Sequence, residues 1–184
     1  MHGRGGQGVV TAAELLSVAA FLDGGEAQAF PSFGSERMGA PVMAFCRVND
    51  RPIRVREPVT EPDAVVVQDA TLLHHVELFA GLAPGGYVLI NSAHSWSELG
   101  LDELRHRHHT ERLVALPASD IARRHTGRPL PNTCLLGGLA ALTGLVTIGS
   151  VEQALRDRFR GAIADGNVAA ARAAYERIHG VVHA

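Results

Sequence analysis

The chain has 184 residues, of which 46% are hydrophobic and 20% are charged, and its formal net charge is −2. This composition predicts one globular domain over residues 1–184 and excludes an intrinsically disordered chain. The near-neutral charge gives no reason to expect nucleic acid or an acidic membrane surface as a partner, and the longest apolar stretch is too short to span a bilayer. Because no secretory signal peptide opens the chain, we expect it in the cytoplasm.

The cysteines and histidines predict no metal site on this chain. Cys46 and Cys134 form no C-x-x-C pair, so this chain alone cannot supply a cysteine-ligated iron–sulfur cluster or structural zinc. His106 and His109 are spaced to share one helix face, but neighbouring arginines crowd that face with positive charge. We therefore expect no metal ligand and no catalytic residue on this chain alone.

The first eight residues carry the strongest binding signal. The glycine turn, Gly3–Gly8, lets a ligand approach the backbone closely, and the apolar run Val9–Leu22 after it predicts a helix. That helix begins with unpaired N–H groups and a partial positive charge. The turn therefore predicts a cradle for a phosphate, pyrophosphate or carboxylate, with a plain structural turn as the alternative.

The spacing of Gly3, Gly5 and Gly8 is that of dinucleotide-binding turns, but the rest of that fingerprint is not met. Only two residues precede Gly3, so the strand that leads into such a turn is expected to be missing. The candidate ribose-binding acids Asp23 and Glu26 come before the next apolar run and not at its carboxyl end. NAD is therefore the less favoured ligand.

A short strand over Glu26–Phe30 and a loop that begins at Pro31 come next. Within this loop, three successive residues present a hydroxyl, a carboxylate and a guanidinium: Ser35, Glu36 and Arg37. The guanidinium fork of Arg37 suits a carboxylate or a phosphate because it donates two parallel hydrogen bonds. The alternative is a Glu–Arg pair at a solvated surface.

Two strand-like runs, Val42–Val48 and Ile53–Arg56, flank turn residues 49–52 and predict an inserted β-hairpin. Such a hairpin contacts a partner or presents a solvated basic face. The rest of the chain alternates between strands and helices. Strands are predicted over residues 63–68, 87–91 and 112–116, and helices over residues 70–82, 97–107, 119–125, 134–148, 150–160 and 167–178.

This alternation predicts an α/β fold of the Rossmann-like, doubly wound kind, with a mostly parallel sheet and helices on both faces. Asn132 and Thr133 precede the most apolar helix and are candidates for helix capping or for donating side-chain hydrogen bonds to a ligand. The glycines inside that helix, Gly137 and Gly138, predict close packing against a neighbouring element.

The residues quoted above, taken together, resemble the gamma subunit of 2-oxoacid:ferredoxin oxidoreductases, in particular the pyruvate-type branch. The resemblance spans roughly residues 2–148. It rests on the opening segment 2–16, on segments 28–31 and 33–42, on residues 54–57, 61–63 and 68–69, and on the later motif with 131–133 and 136–137.

The resemblance implies a subunit of an enzyme that decarboxylates a 2-oxoacid oxidatively to an acyl-coenzyme A and passes electrons to ferredoxin. Thiamine diphosphate, Mg²⁺ and the [4Fe–4S] clusters are then expected on companion alpha, beta and delta subunits, with coenzyme A at or near this chain. The implied ligand-binding residues are Gly3, Arg4, Gly5, Gly6, Gln7, Gly8, Ser35, Glu36, Arg37, Asn132 and Thr133. The alternative is a free-standing nucleotide- or acyl-CoA-binding module without catalytic activity.

Overall fold

In the computed structural model, which describes residues 1–32 and 38–182, six strands form one sheet. They are β1 (His2–Arg4), β2 (Glu26–Pro31), β3 (Pro41–Asn49), β4 (Ala64–Val67), β5 (Tyr87–Asn91) and β6 (Leu113–Leu116). Their order across the sheet is β2-β3-β1-β4-β5-β6. Strands β1, β4, β5 and β6 run parallel to one another, and β3 runs antiparallel to both of its neighbours.

Six α-helices lie in the same described ranges. They are α1 (Val9–Leu22), α2 (Asp102–Arg107), α3 (Ala118–Thr126), α4 (Asn132–Thr143), α5 (Ile148–Arg158) and α6 (Gly161–Val182). The mostly parallel α/β sheet with helices on both faces is therefore confirmed. None of these helices is long and apolar enough to cross a membrane.

The expected absence of the first strand is wrong. Strand β1 lies in the middle of the sheet, where His2 pairs with Met43 on one side and with Val67 on the other. A three-residue strand containing a glycine carries no alternating pattern that sequence analysis could detect. It adopts the extended conformation because strands on both sides offer it hydrogen-bond partners.

A hairpin is present, but its predicted pairing is wrong. Strand β3 pairs with β2, in a register that places Phe30 opposite Phe45, and residues 53–56 form no strand. Both edges of β3 are already occupied, by β2 and by β1, so no edge is left for residues 53–56. Pro52 also interrupts the chain just before that run, and proline cannot donate to a strand ladder.

The two faces of the sheet are covered differently. One face, which includes Val66, Leu89 and Leu116, packs against α1, α3, α4, α5 and α6 in a single apolar cluster. The other face is covered by α2 and by the segment after β4. An α-helix was predicted over residues 70–82, but this segment forms only a 3₁₀ helix, at Ala70–His74. Its buried anchors Leu72 and Leu78 are six residues apart, a spacing that does not share one face of an α-helix.

The helix predicted over residues 134–148 ends early, and the helix predicted over residues 150–160 begins two residues sooner than expected. Helix α4 ends at Thr143, where Gly144 takes a left-handed φ of 64°, and Thr147 caps the start of α5. Gly137 lies against the backbone of Ala171 in α6, where a Cβ atom has no room. The predicted close packing of α4 is therefore confirmed, and α6 is its partner.

Candidate functional site

The glycine turn connects β1 directly to α1, at the carboxyl end of the central strand. Gly6 and Gly8 have φ angles of 93° and 71°, a region that favours glycine. Gly8 is the residue before α1, and no side chain of the described residues caps the helix there. A Cβ atom on Gly6 would lie 2.7 Å from the Met38 sulfur, and one on Gly8 would collide with the Asn132 amide. The turn therefore requires glycine for both conformation and space.

The turn leaves backbone donors available beside an open groove. Within residues 1–32 and 38–182, the N–H groups at the turn and the first turn of α1 that lack a protein acceptor are those of Gly6, Gly8, Val9, Val10 and Thr11. A groove of about 480 Å³ runs beside them, bounded by these residues and by Arg4, Gly5, Met38 and Val42. Unpaired N–H groups at the start of a helix attract anions, so this groove suits a phosphate or a carboxylate.

Four side chains beside the turn form what we call the Asp69 cluster: Arg4, Gln7, Asp69 and Thr71. Arg4 belongs to this cluster and also lines the groove. Asp69 accepts hydrogen bonds from the Gln7 amide at 2.8 Å and from the Thr71 hydroxyl and N–H at 2.6 and 3.0 Å. Nε of Arg4 lies 3.4 Å from the same carboxylate. The guanidinium of Arg4 also donates to Thr71 and to the Gly39 carbonyl. Arg4 and Gln7, both predicted ligand contacts, are thus bonded within the protein.

The Asp69 carboxylate is ionised at neutral pH. Partial burial tends to raise its pKa, but hydrogen bonds from Thr71 and Gln7 and the positive charge of Arg4 together hold the pKa below its usual value. A carboxylate here repels an anion. A phosphate is therefore favoured in the groove and not next to Asp69. Sequence analysis included Asp69 only as part of the family pattern. Its position at the end of the strand next to β1 was the available signal.

Asn132 and Thr133 lie at the start of α4 and are both buried. The Asn132 amide donates to the Gly8 carbonyl at 3.4 Å, which places this side chain directly beside the glycine turn. The Thr133 hydroxyl donates to the Asn167 side chain of α6 at 2.7 Å. The structure thus brings Asn132 to the turn and directs the Thr133 hydroxyl towards α6.

Gln68 is a further polar residue beneath the turn, with a side chain that is 1% exposed. Its Cβ lies 3.2 Å from the position that a Cβ on Gly3 would occupy. Neither polar atom of its amide has a hydrogen-bond partner among the described residues. The sequence resemblance included Gln68 without assigning it a role.

The predicted loop residues Ser35, Glu36 and Arg37 lie outside the described residues. Those on either side are placed, and Gly39 and Ala40 pair with Gly5 through two backbone hydrogen bonds of 3.1 and 2.9 Å. The chain thus returns to the glycine turn directly after Arg37.

The described cysteines are not nucleophiles. Burial raises the pKa of the Cys46 and Cys134 thiols to about 12, so both stay protonated at neutral pH. Within residues 1–32 and 38–182, no group of three or more His, Cys, Asp or Glu side chains is arranged to hold a metal ion.

The geometry also disfavours a dinucleotide. In a dinucleotide-binding fold, the ribose-binding acid ends a strand beside β1. Here one neighbour of β1, β3, is antiparallel, and the Asp69 carboxylate just past the other neighbour, β4, is already bonded to Gln7 and Thr71. Strand β2 runs in the same direction as β1, and Glu26 is its first residue. Glu26 therefore lies at the amino ends of these strands, whereas the glycine turn lies at the carboxyl end of β1. Asp23 is bonded to Thr147 and Ser150 at the start of α5.

Comparison with known proteins gives a consistent result. The family model described as pyruvate ferredoxin/flavodoxin oxidoreductase matches residues 1–177. The chain is 48% identical to the common gamma subunit of the pyruvate/ketoisovalerate oxidoreductases of Pyrococcus furiosus, covering 96% of this chain and 94% of that one. It is also 48% identical to the pyruvate synthase subunit PorC of Methanothermobacter marburgensis, with the same coverage.

A solved structure has the same fold. The pyruvate oxidoreductase subunit PORC of Thermotoga maritima superposes with a TM-score of 0.80 at 36% identity, covering 95% of this chain and 92% of that one. The predicted resemblance to gamma subunits is thereby confirmed. The chain belongs to the pyruvate ferredoxin/flavodoxin oxidoreductase family, as a member of its gamma-subunit type.

Proposed function

We propose that this chain holds a phosphate-bearing part of coenzyme A in the groove beside its glycine turn. The chain would act as the gamma subunit of a 2-oxoacid:ferredoxin oxidoreductase, with pyruvate as the favoured substrate. The observation that carries the proposal is the set of N–H groups along the groove, those of Gly6 and of residues 8–11, that have no acceptor among the described residues. Each donates to a negative charge without needing a basic side chain.

The groove fits coenzyme A in a second respect. Val10, Val42 and Met38 also line the groove and give it an apolar wall. A phosphate at the N–H groups would leave the uncharged pantetheine arm to run along this wall. On sequence grounds alone, the proposal keeps Ser35, Glu36 and Arg37 as contacts to the ligand or to a partner subunit.

In this proposal the redox chemistry belongs to companion alpha, beta and delta subunits, which hold thiamine diphosphate, Mg²⁺ and the [4Fe–4S] clusters. When bound to those subunits, thiamine diphosphate would supply the nucleophilic chemistry of 2-oxoacid decarboxylation, and the clusters would supply electron transfer to ferredoxin. This chain orients coenzyme A through backbone donors and excludes water from part of it.

The binding role is tested by placing a charge in the groove. Thr11→Asp adds a carboxylate beside the unpaired N–H groups, and Thr11→Asn is its neutral control of nearly equal size. An acidic residue in the first turn favours the helix, so folding should not suffer. We expect the Asp variant of the assembled enzyme to raise the KM for coenzyme A about ten-fold, equivalent to about 1.4 kcal/mol. An unchanged KM would reject the groove as the site.

We also propose that the outer face of α1 contacts a companion subunit of the same enzyme. Helix α1 carries one charged residue, Glu14, and its apolar side chains Val18, Phe21 and Leu22 are exposed, with Phe21 at 71%. Neighbouring exposed apolar side chains on one helix are suited to contact with a partner. The start of α1 lines the groove, so a companion subunit on the outer face of this helix would lie close to the bound coenzyme A.

The assembly role is tested by co-purification from cells that express all subunits. Phe21→Ser should reduce recovery of the companion subunits, whereas Ile163→Ser, at an exposed apolar residue on α6, should not. Equal recovery with both variants would reject this face as the contact. Recovery of the unmodified chain alone, with coenzyme A bound, would instead favour the free-standing binding module.

A further inference from the structure

We propose that Asp69 is a positioning residue that holds the glycine turn in its binding shape, acting through Gln7 and Arg4. The ligand-binding part of this inference rests on the proposed function, but the positioning part does not. Asp69 does not line the groove but is in contact with Gln7 and Arg4, so it acts through them without touching the ligand.

The sheet register places Asp69 where it can do this. Strands β1 and β4 are parallel neighbours, with His2 beside Val67. Two residues further along the chain in each case, Arg4 and Asp69 therefore come level, with Arg4 at the end of β1 and Asp69 just past the end of β4. The N–H of Gln68 also donates to the His2 carbonyl at 2.8 Å, which keeps the two strands paired up to that point.

Gln7 transmits the effect to the turn. Its side-chain oxygen accepts a hydrogen bond from the Arg4 N–H at 2.8 Å, and its amide nitrogen donates to Asp69 at 2.8 Å. Both ends of this side chain are thus held, one by the backbone of the turn and the other by Asp69. The amide cannot rotate without placing a donor against a donor or an acceptor against an acceptor.

Arg4 extends the effect to the neighbouring loop. Its guanidinium donates to the Gly39 carbonyl at 3.0 Å while its Nε faces Asp69. The Gly39 N–H donates in turn to the Gly5 carbonyl at 3.1 Å. The carboxylate therefore orients two segments at once, the glycine turn and the chain that returns from Arg37.

A reversed pair of side chains tests this inference. Asp69→Asn places an amide donor against the donors of Gln7 and Arg4, whereas its remaining oxygen still accepts from Thr71. In the double variant Gln7→Glu with Asp69→Asn, the carboxylate and the amide exchange places. Glu at position 7 accepts from the Arg4 N–H and from the Asn amide, so the link across the turn is restored.

The first measurement is hydrogen–deuterium exchange on the assembled oxidoreductase. In Asp69→Asn we expect peptides over residues 3–8 and 38–42 to exchange about ten-fold faster, because local opening is easier once the link is lost. Exchange in the buried strand β5 should not change, and the double variant should restore slow exchange. Unchanged exchange in Asp69→Asn, or no recovery in the double variant, would overturn the positioning role.

The second measurement separates this inference from the proposed function. If coenzyme A binds at the turn, Asp69→Asn should raise its KM several-fold with kcat within two-fold of the wild-type value, and the double variant should restore KM. Altered exchange with an unchanged KM would keep Asp69 as a positioning residue and count against the groove as the coenzyme A site. A Gln7→Met variant, which leaves the Asp69 bonds to Thr71 intact, checks the result should Asp69→Asn fold poorly.

Discussion

Two helices of similar length, α1 and α4, begin side by side, and only one of them begins at an open groove. The Asn132 amide of α4 donates to the Gly8 carbonyl before α1, and neither helix is capped by a side chain from the part of the chain that the structure describes. The first turn of α1 lines the groove, whereas the first five residues of α4 are all buried. An uncapped helix start is thus a candidate binding site only where the surrounding fold leaves it open.

The largest effect is expected at α4, where packing is closest. Gly137→Ala would drive a Cβ atom into the Ala171 carbonyl, and overpacking of this kind should lower the free energy of unfolding by about 3 kcal/mol. Urea unfolding of the purified chain measures the change. Gly180→Ala is the matched control, because a Cβ there meets nothing within 4 Å, and it should stabilise α6 by about 0.5–1 kcal/mol. Equal stability of the two variants would contradict the close contact between α4 and α6.

A smaller effect is expected where the two helices meet. Gly8→Ala keeps a left-handed φ and meets the Asn132 amide, so it should cost about 2 kcal/mol in unfolding free energy. Gly144→Ala also keeps a left-handed φ but has open space, and should cost about 1 kcal/mol. The difference between the two unfolding curves measures the contact between the helix starts. If both variants lose the same amount, that contact is unimportant.

Thr133 tests whether the start of α4 serves structure or binding. Thr133→Val removes the hydrogen bond to Asn167, which should cost about 1 kcal/mol of stability. The KM of the assembled enzyme for coenzyme A should stay unchanged, because the hydroxyl is directed towards α6. A raised KM at unchanged kcat would instead support Thr133 as a ligand contact, as the sequence resemblance implied.

The smallest effect is expected at the far end of α1. Asp23 accepts hydrogen bonds from Thr147 and Ser150. Slight burial acts to raise the pKa of its carboxyl group, but these hydrogen bonds outweigh it and hold the pKa below the usual value of 3.8. Because the pKa of Asp23 is lower in the folded state than in the unfolded state, its ionised form stabilises the fold at pH values above the pKa of the unfolded state. This stabilisation is lost as the pH falls through the pKa of the folded state. Asp23→Asn should therefore reduce thermal stability slightly at pH 7, and the difference from wild type should disappear in strong acid. A difference that persists there would show that the charge is not its cause.

Much of the fold could be predicted from local patterns. The helix over Val9–Leu22 and the strand over Tyr87–Asn91 have the predicted bounds. Each is an apolar run directly after glycine, and such a run indicates a buried element. The prediction failed for β1, for the partner of β3 and for the segment after β4. Each of these depends on a neighbouring strand or on a buried anchor that lies far away in sequence.

The sequence by itself determined that a glycine turn leads into an uncapped helix, since glycine at Gly6 and Gly8 and an apolar run after them are local properties. It also determined the family, because the motifs lie in order along the chain. Only the tertiary structure decided which polar residues face the groove. The pairing of β1 with β4 brings Asp69 to Arg4 and Gln7, and the packing of α4 on α6 turns Thr133 inward. The physical reason is that a side chain's hydrogen-bond partner depends on the three-dimensional packing of strands and helices, which spacing along the chain does not record.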